Sequence, residues 1–157
     1  MKVLVIEDDP NKATQVLNFL NELESISSVA HKRSYQSGLK ELYDSEYNLV
    51  LLDMSLPTYD IRPGEDAYKF RHLAGHDILS EIKRKKKLAR VIIVTQFERF
   101  GEGRQYISLK DLRMTLRLDF PESYVDTISY HPGRTTWKEE LVKLIEKEKR
   151  NDKDSSS

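Results

Sequence analysis

The chain contains three short, continuous runs of apolar residues, at positions 3–6, 49–52 and 91–94. Each run is rich in Val, Leu or Ile and is bounded on both sides by polar residues. Strands that are buried on both faces of a parallel sheet have this pattern, whereas strands with one wet face alternate apolar and polar residues. We therefore predict that the three runs are central strands of a parallel sheet.

Two further segments, 28–32 and 124–130, mix apolar and polar residues and predict strands at the edges of the sheet. Between the five strands, apolar residues recur at the three- and four-residue spacing of amphipathic helices. The predicted helical stripes consist of Val16, Leu17, Leu20 and Leu23; Tyr35, Leu39, Leu42 and Tyr43; Ile78, Leu79 and Ile82; Leu109, Leu112 and Leu116; and Trp137, Leu141, Leu144 and Ile145.

Five strands that alternate with five helices predict an α/β domain, with helices on both faces of a parallel sheet and right-handed crossovers. With the three apolar runs at the centre, the expected strand order is 2-1-3-4-5, that of the flavodoxin-like doubly wound fold. We expect this domain to span residues 1–149. It would contain long loops at 58–74 and 97–107, and a disordered polar tail would follow at 150–157.

Composition narrows the classes of partner. Lys plus Arg and Asp plus Glu both number 26, so the net charge is zero and gives no general attraction to nucleic acid or to anionic membranes. The basic run at 83–87 is interpreted as the solvated end of a helix, where cations complement the helix dipole. Cysteine is absent, and no segment reaches transmembrane or signal-peptide length. We therefore expect a cytoplasmic protein with no nucleic-acid or membrane partner.

Polar residues follow each of the predicted central strands. Glu7 and Asp8 follow the first run, Asp53 follows the second and Thr95 follows the third. In open α/β sheets, ligands bind outside the carboxyl ends of the strands, at the point where the strand order reverses. Asp53 taken alone is equally compatible with the start of a turn, where aspartate is common. Together, however, the three carboxylates predict a charged site at this edge.

Three carboxylates in one crevice repel each other unless a cation lies among them, and hard oxygen ligands suit Mg²⁺. A divalent ion would also bridge an incoming phosphoryl group to the protein, so that an aspartate carboxylate acts as a nucleophile and forms an acyl phosphate. Thr95 is positioned to donate its hydroxyl to a phosphoryl oxygen. The residues alone thus favour Mg²⁺-dependent phosphoryl chemistry.

Two neighbouring polar residues have structural interpretations instead. Asp9 precedes Pro10, which is the pattern of a helix N-cap followed by proline at the first helical position. His31 stands alone in a predicted edge strand, where a histidine is more often a packing or surface residue than a ligand.

Three motifs, in this order and on these elements, resemble the receiver domain of two-component response regulators. They are Val-Ile-Glu-Asp-Asp at 5–9, Leu-Val-Leu-Leu-Asp-Met-Ser-Leu-Pro at 49–57 and Val-Ile-Ile-Val-Thr at 91–95. The resemblance extends over residues 1–149 and implies a signalling protein that turns over no substrate beyond removing its own phosphoryl group. Output would occur by docking to a protein partner or by phosphorelay, and a homodimer is compatible with either.

The resemblance also implies roles for individual residues. Asp53 would accept a phosphoryl group from a histidine kinase or a phosphotransfer protein, and Thr95 would be the switch hydroxyl. Asp8, Asp53 and the backbone carbonyl of Ser55 would bind Mg²⁺. Glu7 would hold the metal through a water molecule.

Two residues depart from the family pattern. The family has a lysine followed by proline after the fifth strand, and the nearest counterpart here is His131-Pro132. His131 is either a surrogate for that lysine or only the start of a loop. Gln96 follows the switch hydroxyl, where the family usually has a small residue, so we expect its side chain to crowd the site or to form a hydrogen bond within it.

The two long loops are a third departure, and both leave strand ends that flank Asp53. They are rich in Tyr and Arg, which are enriched in interface hot spots. We expect them to form a lid or docking surface above the site. The residues concerned are Tyr59, Asp60, Arg62, Glu65, Asp66, Tyr68, Arg71 and His72 in the first loop, and Phe97, Arg99, Phe100, Arg104 and Tyr106 in the second.

Three functions are compatible with these residues. The favoured one is a single-domain receiver that is phosphorylated on Asp53, and the second is a pseudo-receiver that serves as a phosphorylation-independent interaction module. The third is a phosphatase with an aspartate nucleophile, as in the haloacid dehalogenase family. Those enzymes need a second aspartate two residues after the nucleophile as the acid or base, and Ser55 occupies that position here, which disfavours this function.

Overall fold

The computed structural model describes residues 1–62, 64, 70–97, 99–102 and 105–155. Strands and helices alternate along most of this chain. In order, the elements are β1 (Lys2–Ile6), α1 (Pro10–Asn21), β2 (Ser28–Lys32), α2 (Tyr35–Asp44), β3 (Leu49–Leu52), β4 (Leu56–Pro57), β5 (Phe70–Arg71), α3 (Ala74–Arg84), β6 (Arg90–Thr95), β7 (Arg99–Glu102), β8 (Gln105–Ser108), α4 (Leu109–Asp119), β9 (Tyr124–Ser129) and α5 (Thr136–Ser155).

A five-stranded parallel sheet organises the domain, in the order β2-β1-β3-β6-β9. The three apolar runs form the three central strands, and the two mixed segments form the edges. The pairing register sets Leu4 beside Val50 and Val50 beside Val91, so the three central strands lie side by side with their carboxyl ends at one edge. This order confirms the predicted flavodoxin-like α/β fold.

The sheet separates two apolar layers because successive side chains of a strand point to opposite faces. On one face, residues such as Leu4 and Leu52 pack against α2, α3 and α4. On the other face, Val5 and Leu51 pack against α1 and α5, where Trp137 is the largest buried side chain. Helix α1 therefore lies over the central strands, and its first turn lies close to the edge that carries the predicted site.

A short antiparallel strand pair accompanies each of the two predicted loops. Strands β4 and β5 pair at the base of the first loop, which ends where α3 begins at Ala74. Strands β7 and β8 pair within the second. Two-residue strands such as β4 and β5 are held by backbone hydrogen bonds and are too short to show the period-two pattern that predicts a strand.

The predicted disordered tail is wrong over most of its length, since α5 continues from Lys149 to Ser155. This stretch contains Lys149, Arg150 and Lys153, and lysine and arginine are good helix formers. Glu148 is buried and pairs with Arg90 of β6 at 2.9 Å, which fixes the helix to the sheet just before this stretch. Neither α5 nor any other helix in the described ranges is apolar enough over a sufficient length to cross a membrane.

Candidate functional site

The carboxyl edge of the sheet brings three predicted site residues into one region. Glu7 follows β1, Asp53 follows β3 and Thr95 ends β6, and these strands are neighbours in the sheet. All three side chains are buried, with Asp53 only 5% exposed. The Asp53 backbone N–H donates to the Ile6 carbonyl at 3.3 Å, which joins the ends of β3 and β1.

Helix α1 begins directly beside this edge. As predicted, Asp9 is its N-cap, and the Asp9 carboxylate accepts hydrogen bonds from the backbone N–H groups of Asn11 at 2.9 Å and Lys12 at 3.3 Å. Pro10 occupies the first helical position. This cap fixes the first turn so that Lys12 faces inward, and its side chain is only 2% exposed.

The ammonium group of Lys12 lies between the two buried carboxylates. Its Nζ forms an ion pair with Glu7 Oε1 and donates to Asp53 Oδ2 at 2.9 Å and to the Val94 carbonyl at 2.6 Å. An ammonium group has three N–H donors, and all three are used here. The ring centroid of Tyr130 lies 5.7 Å from the same nitrogen, within the range of a cation–π contact.

The remaining carboxylate oxygens are also bonded. Glu7 Oε2 accepts from the Asp9 backbone N–H at 3.1 Å, and Asp53 Oδ1 accepts from the Met54 backbone N–H at 2.7 Å. In each carboxylate, one oxygen thus contacts the Lys12 ammonium and the other accepts a hydrogen bond from a backbone N–H. The two acids are oriented by the protein before any ligand arrives.

Burial and charge act in opposite directions on the pKa values of this cluster. Burial alone would lower the pKa of Lys12, but the carboxylates of Asp53 and Glu7 outweigh it, and the pKa is raised. Burial raises the pKa of Glu7 despite the opposing effect of Lys12, and the Asp53 carboxylate adds to the increase. Lys12 therefore remains charged at neutral pH.

Asp8 and Ser55 lie beside this cluster. Asp8 is half-buried, and burial raises its pKa while the nearby Arg33 opposes the increase. Ser55 is half-buried in the bend after Asp53. Among the residues that the structure describes, no three acidic or histidine side chains form a ready-made metal site. The predicted Mg²⁺ set is therefore not preassembled, because the ammonium fills the space between two of its carboxylates.

The charge and chemistry of the same residues nevertheless fit a divalent cation. Glu7, Asp8 and Asp53 contribute three carboxylates, and the Lys12 ammonium offsets one of them, which leaves two negative charges when all four are ionised. Carboxylate oxygens are the hard ligands that Mg²⁺ prefers. Asp8, which forms no ion pair with Lys12, retains its oxygens for such a ligand.

Thr95 connects the site to the second long loop. Its Oγ1 accepts a hydrogen bond from the Phe97 backbone N–H at 3.3 Å, and its carbonyl accepts from the Tyr130 backbone N–H at 2.8 Å. The hydroxyl is fully buried, whereas Gln96 is exposed. Crowding of the site by Gln96, one of the two outcomes expected from the sequence, does not fit that exposure.

His131 lies after β9 and begins a turn. Its carbonyl accepts from the Arg134 backbone N–H at 3.0 Å. In the described part of the chain, no hydrogen bond or ion pair joins the His131 side chain to Asp53; the cation on that carboxylate comes from Lys12. Of the two interpretations of His131, this geometry favours the start of a loop.

Sequence reasoning missed Lys12, although the sequence contains a signal for it. Lys12, Val16 and Leu20 follow one another at four-residue intervals on α1, and all three are buried. A lysine in register with an apolar stripe points toward the protein interior, where it requires an acidic partner.

His31 is structural, as its position in an edge strand suggested. Its Nε2 lies 2.9 Å from the Glu7 carbonyl, within hydrogen-bonding distance. This contact joins β2 to the residue that follows β1. His31 therefore supports the backbone that presents the Glu7 carboxylate.

An aromatic residue of each long loop is exposed, as a docking surface requires. Tyr59 is 61% exposed and Tyr106 is 59% exposed. The first loop is anchored at its base, where the Arg71 guanidinium lies 4.0 Å from the ring centroid of Tyr35 and pairs with Asp77 at 3.1 Å. The predicted residues outside the described part of the chain are Glu65, Asp66, Tyr68 and Arg104, together with the side chains of Arg99 and Phe100.

Known proteins share this sequence pattern and fold. The family model for the response regulator receiver domain matches residues 3–110. The uncharacterized protein y4jR from Sinorhizobium fredii is 28% identical over 141 residues, which cover 88% of this chain and 92% of that protein. The Detocs response regulatory protein DtcB from Enterobacter cloacae is 28% identical over 147 residues, which cover 92% of this chain and 98% of the relative.

Among solved structures, the response regulator protein TrrA from Thermotoga maritima, in complex with Mg²⁺-BeF, has a similar fold. Its TM-score is 0.54 at 22% identity, and the match covers 91% of this chain and 97% of that chain. The fold of this chain thus agrees with that of a solved response regulator structure.

Proposed function

This chain belongs to the response regulator receiver domain family, and from that membership we propose that it accepts a phosphoryl group on Asp53 and signals to a protein partner. Receiver domains are phosphorylated by histidine kinases or phosphotransfer proteins, and a donor of that class is proposed here. The observation that carries the proposal is the Asp53 carboxylate itself, which is buried at the carboxyl edge of β3 and bonded to a lysine ammonium at 2.9 Å.

The proposed step is a displacement at phosphorus. One carboxylate oxygen of Asp53 attacks the phosphorus of a phosphohistidine, the P–N bond breaks, and the imidazole leaves with the electron pair and is protonated. Contacts with Lys12 Nζ and the Met54 N–H hold the carboxylate in one orientation before attack. Fixing the nucleophile in this way lowers the entropic cost of reaching the transition state.

Mg²⁺ is the proposed cofactor. Asp8, Asp53 and the Ser55 carbonyl would hold it, with Glu7 contributing through water. When bound, the ion supplies charge neutralisation for the phosphoryl oxygens. The support is the excess of two negative charges at the site, together with the family's known preference for this metal.

Signal output is proposed to begin at Thr95. The Thr95 hydroxyl now accepts a hydrogen bond from the Phe97 N–H. A phosphoryl oxygen on Asp53 would attract this hydroxyl, and the hydrogen bond to the Phe97 N–H would then break. Phe97 is itself exposed and lies two residues before β7, so this exchange would reach the surface. The names of two relatives as Detocs response regulatory proteins agree with a regulatory role. The receiver unit is proposed to extend from residue 1 through α5.

Intact-mass spectrometry after incubation with Mg²⁺ and acetyl phosphate tests this proposal. The parent chain should gain one phosphoryl group, and Asp53→Asn should gain none. Asp60→Asn is the matched control, because Asp60 is a nearby acid whose Oδ1 accepts from Ser37 Oγ rather than from Lys12. Loss of labelling in Asp60→Asn but not in Asp53→Asn would overturn the assignment, as would a parent chain that gains no phosphoryl group.

One observation favours a second candidate, a pseudo-receiver that binds a partner without phosphorylation. Both Asp53 oxygens are already bonded, and the cavity on the inner side of the carboxylate measures only about 10 Å³. A single water molecule needs at least about that space. A phosphoryl donor must therefore approach Asp53 from the outer side. A chain that binds neither Mg²⁺ nor phosphoryl groups would be assigned the role of pseudo-receiver.

A further inference from the structure

We propose that Lys12 is the catalytic lysine of this receiver, supplied by the first helix in place of the lysine that the family carries after its fifth strand. This inference rests on the proposed phosphorylation of Asp53. Lys12 lies outside the three receiver motifs of the sequence.

Burial is the first argument. Taking an ammonium group out of water costs free energy that a single pairing rarely repays, whereas an apolar residue at the same place would only gain from burial. Lys12 nevertheless lies in line with Val16 and Leu20 on the buried side of α1, and it is as buried as they are. A methionine there would fill the space without that cost, so packing alone does not account for a lysine.

Position is the second argument. The Lys12 ammonium reaches Asp53 Oδ2 while also bonding the carbonyl of Val94, so it lies at the end of β6, between β3 and β9. The ring of Tyr130, which directly follows β9, lies 5.7 Å from the same nitrogen. A side chain entering the site from the end of β9 would have to share this space. His131, the next residue, instead starts a turn with Arg134.

Hydrogen-bond capacity is the third argument. All three donors of the Lys12 ammonium are in use, so a phosphoryl oxygen on Asp53 must replace one acceptor. The neutral Val94 carbonyl is the weakest acceptor of the three, because hydrogen bonds to ionised oxygens are stronger. We expect the phosphoryl oxygen to take that donor, so that Lys12 retains Glu7 and holds the acyl phosphate.

Moving the lysine between the two positions tests the inference. Acetyl phosphate labelling with Mg²⁺ is compared in the parent, Lys12→Met, Lys12→Arg, His131→Ala and the double variant Lys12→Met with His131→Lys. Lys12→Met should slow labelling by about 100-fold, the typical cost of removing one preorganised charge donor. Lys12→Arg should be intermediate, and the double variant should recover at least about tenfold because its lysine enters from β9.

A matched control and a direct readout accompany the labelling rates. Lys110→Met removes an exposed lysine from the first turn of α4 and should label like the parent. Proton–nitrogen NMR detects a buried lysine ammonium as a distinct signal. The Lys12 signal should be present in the parent and should shift when beryllofluoride with Mg²⁺ is added, while Asp53→Asn should show no shift on addition.

The outcomes separate this inference from the proposed function. A parent chain that takes no phosphoryl group refutes the proposed function and this inference with it. A parent that is labelled on Asp53 while Lys12→Met is labelled equally fast refutes the inference alone. If His131→Ala loses labelling, the role passes to His131. Should Lys12→Met fail to fold, Glu7→Gln is compared with Glu7→Gln plus Lys12→Met, which removes the cation and one acid together.

Discussion

Replacing Lys12 with methionine should destabilise the fold in a way that acid relieves. The substitution keeps an unbranched side chain on the buried stripe of α1, so little packing is lost. It removes the cation that contacts both Glu7 and Asp53. Two carboxylates with almost no exposure would then face each other, and among the described residues their remaining donors are the backbone N–H groups of Asp9 and Met54.

The expected magnitude follows from the burial of all three groups. Removing one partner from a buried ion pair typically costs about 3–5 kcal/mol, because a charge is left uncompensated. We expect a loss near the lower end, about 3 kcal/mol, since both carboxylates keep one backbone hydrogen bond. Domains of this size have a free energy of unfolding of about 5–15 kcal/mol, so the variant should still fold.

The stability difference between the parent and Lys12→Met should depend on pH. The pKa of Lys12 is raised above its ordinary value of 10.5, so its stabilisation is complete at neutral pH and is lost only in strong alkali. Without the ammonium, the already raised pKa of Glu7 should rise further, and protonation below neutral pH should remove the repulsion. The difference between parent and variant should therefore shrink as pH falls toward 4.5, the ordinary pKa of glutamate.

Urea unfolding followed by circular dichroism, at neutral pH and at about pH 5, measures this difference. Lys110→Met, on the exposed first turn of α4, serves as the control and should unfold like the parent at both pH values. A loss below about 1 kcal/mol at neutral pH, or a loss that acid leaves unchanged, would show that the buried charges are not coupled as described.

Three further substitutions probe contacts around the site. Glu7→Gln should flatten the pH dependence of the melting temperature, because glutamine cannot titrate. In the parent, the raised pKa of Glu7 gives a contribution to stability that is present below pH 4.5 and is lost as pH rises through the folded pKa. Glu148→Gln should cost about 2 kcal/mol in urea unfolding, because its partner Arg90 is partly exposed, and should speed amide exchange in the last turns of α5. Thr95→Val should remove the acceptor of the Phe97 N–H, and exchange of that single amide should accelerate while the central strands stay protected.

The central architecture was predictable because its physical signal is local and strong. Residues 49–52 are apolar without interruption, which only a strand covered on both faces tolerates, and the polar residue that follows marks the edge of the sheet. The cap at Asp9 was predictable for a similar reason, since proline at the next position is compatible with few alternatives. The strand order followed from which strands were fully apolar.

Lys12 was not predicted because lysine is normally exposed, and a charge at the start of a helix is usually assigned to solvent. Its partners lie 5 residues and 41 residues away in sequence, so only the folded sheet brings them together. The end of α5 was missed for a related reason. The polarity of residues 150–155 resembles a tail, but Glu148 is anchored by Arg90, which is 58 residues distant.

A cation that enters from α1 has a consequence for how related chains vary. Under the role proposed for Lys12, one positive charge serves the Asp53 carboxylate, whether it comes from α1 or, as in the family pattern, from the segment after the fifth strand. Relatives with a lysine after the fifth strand should be free to carry an apolar residue at the third position of the first helix, and relatives without one should carry a basic residue there. An alignment that scores each column alone would count this chain as inactive, whereas one that scores the two columns as alternatives would not.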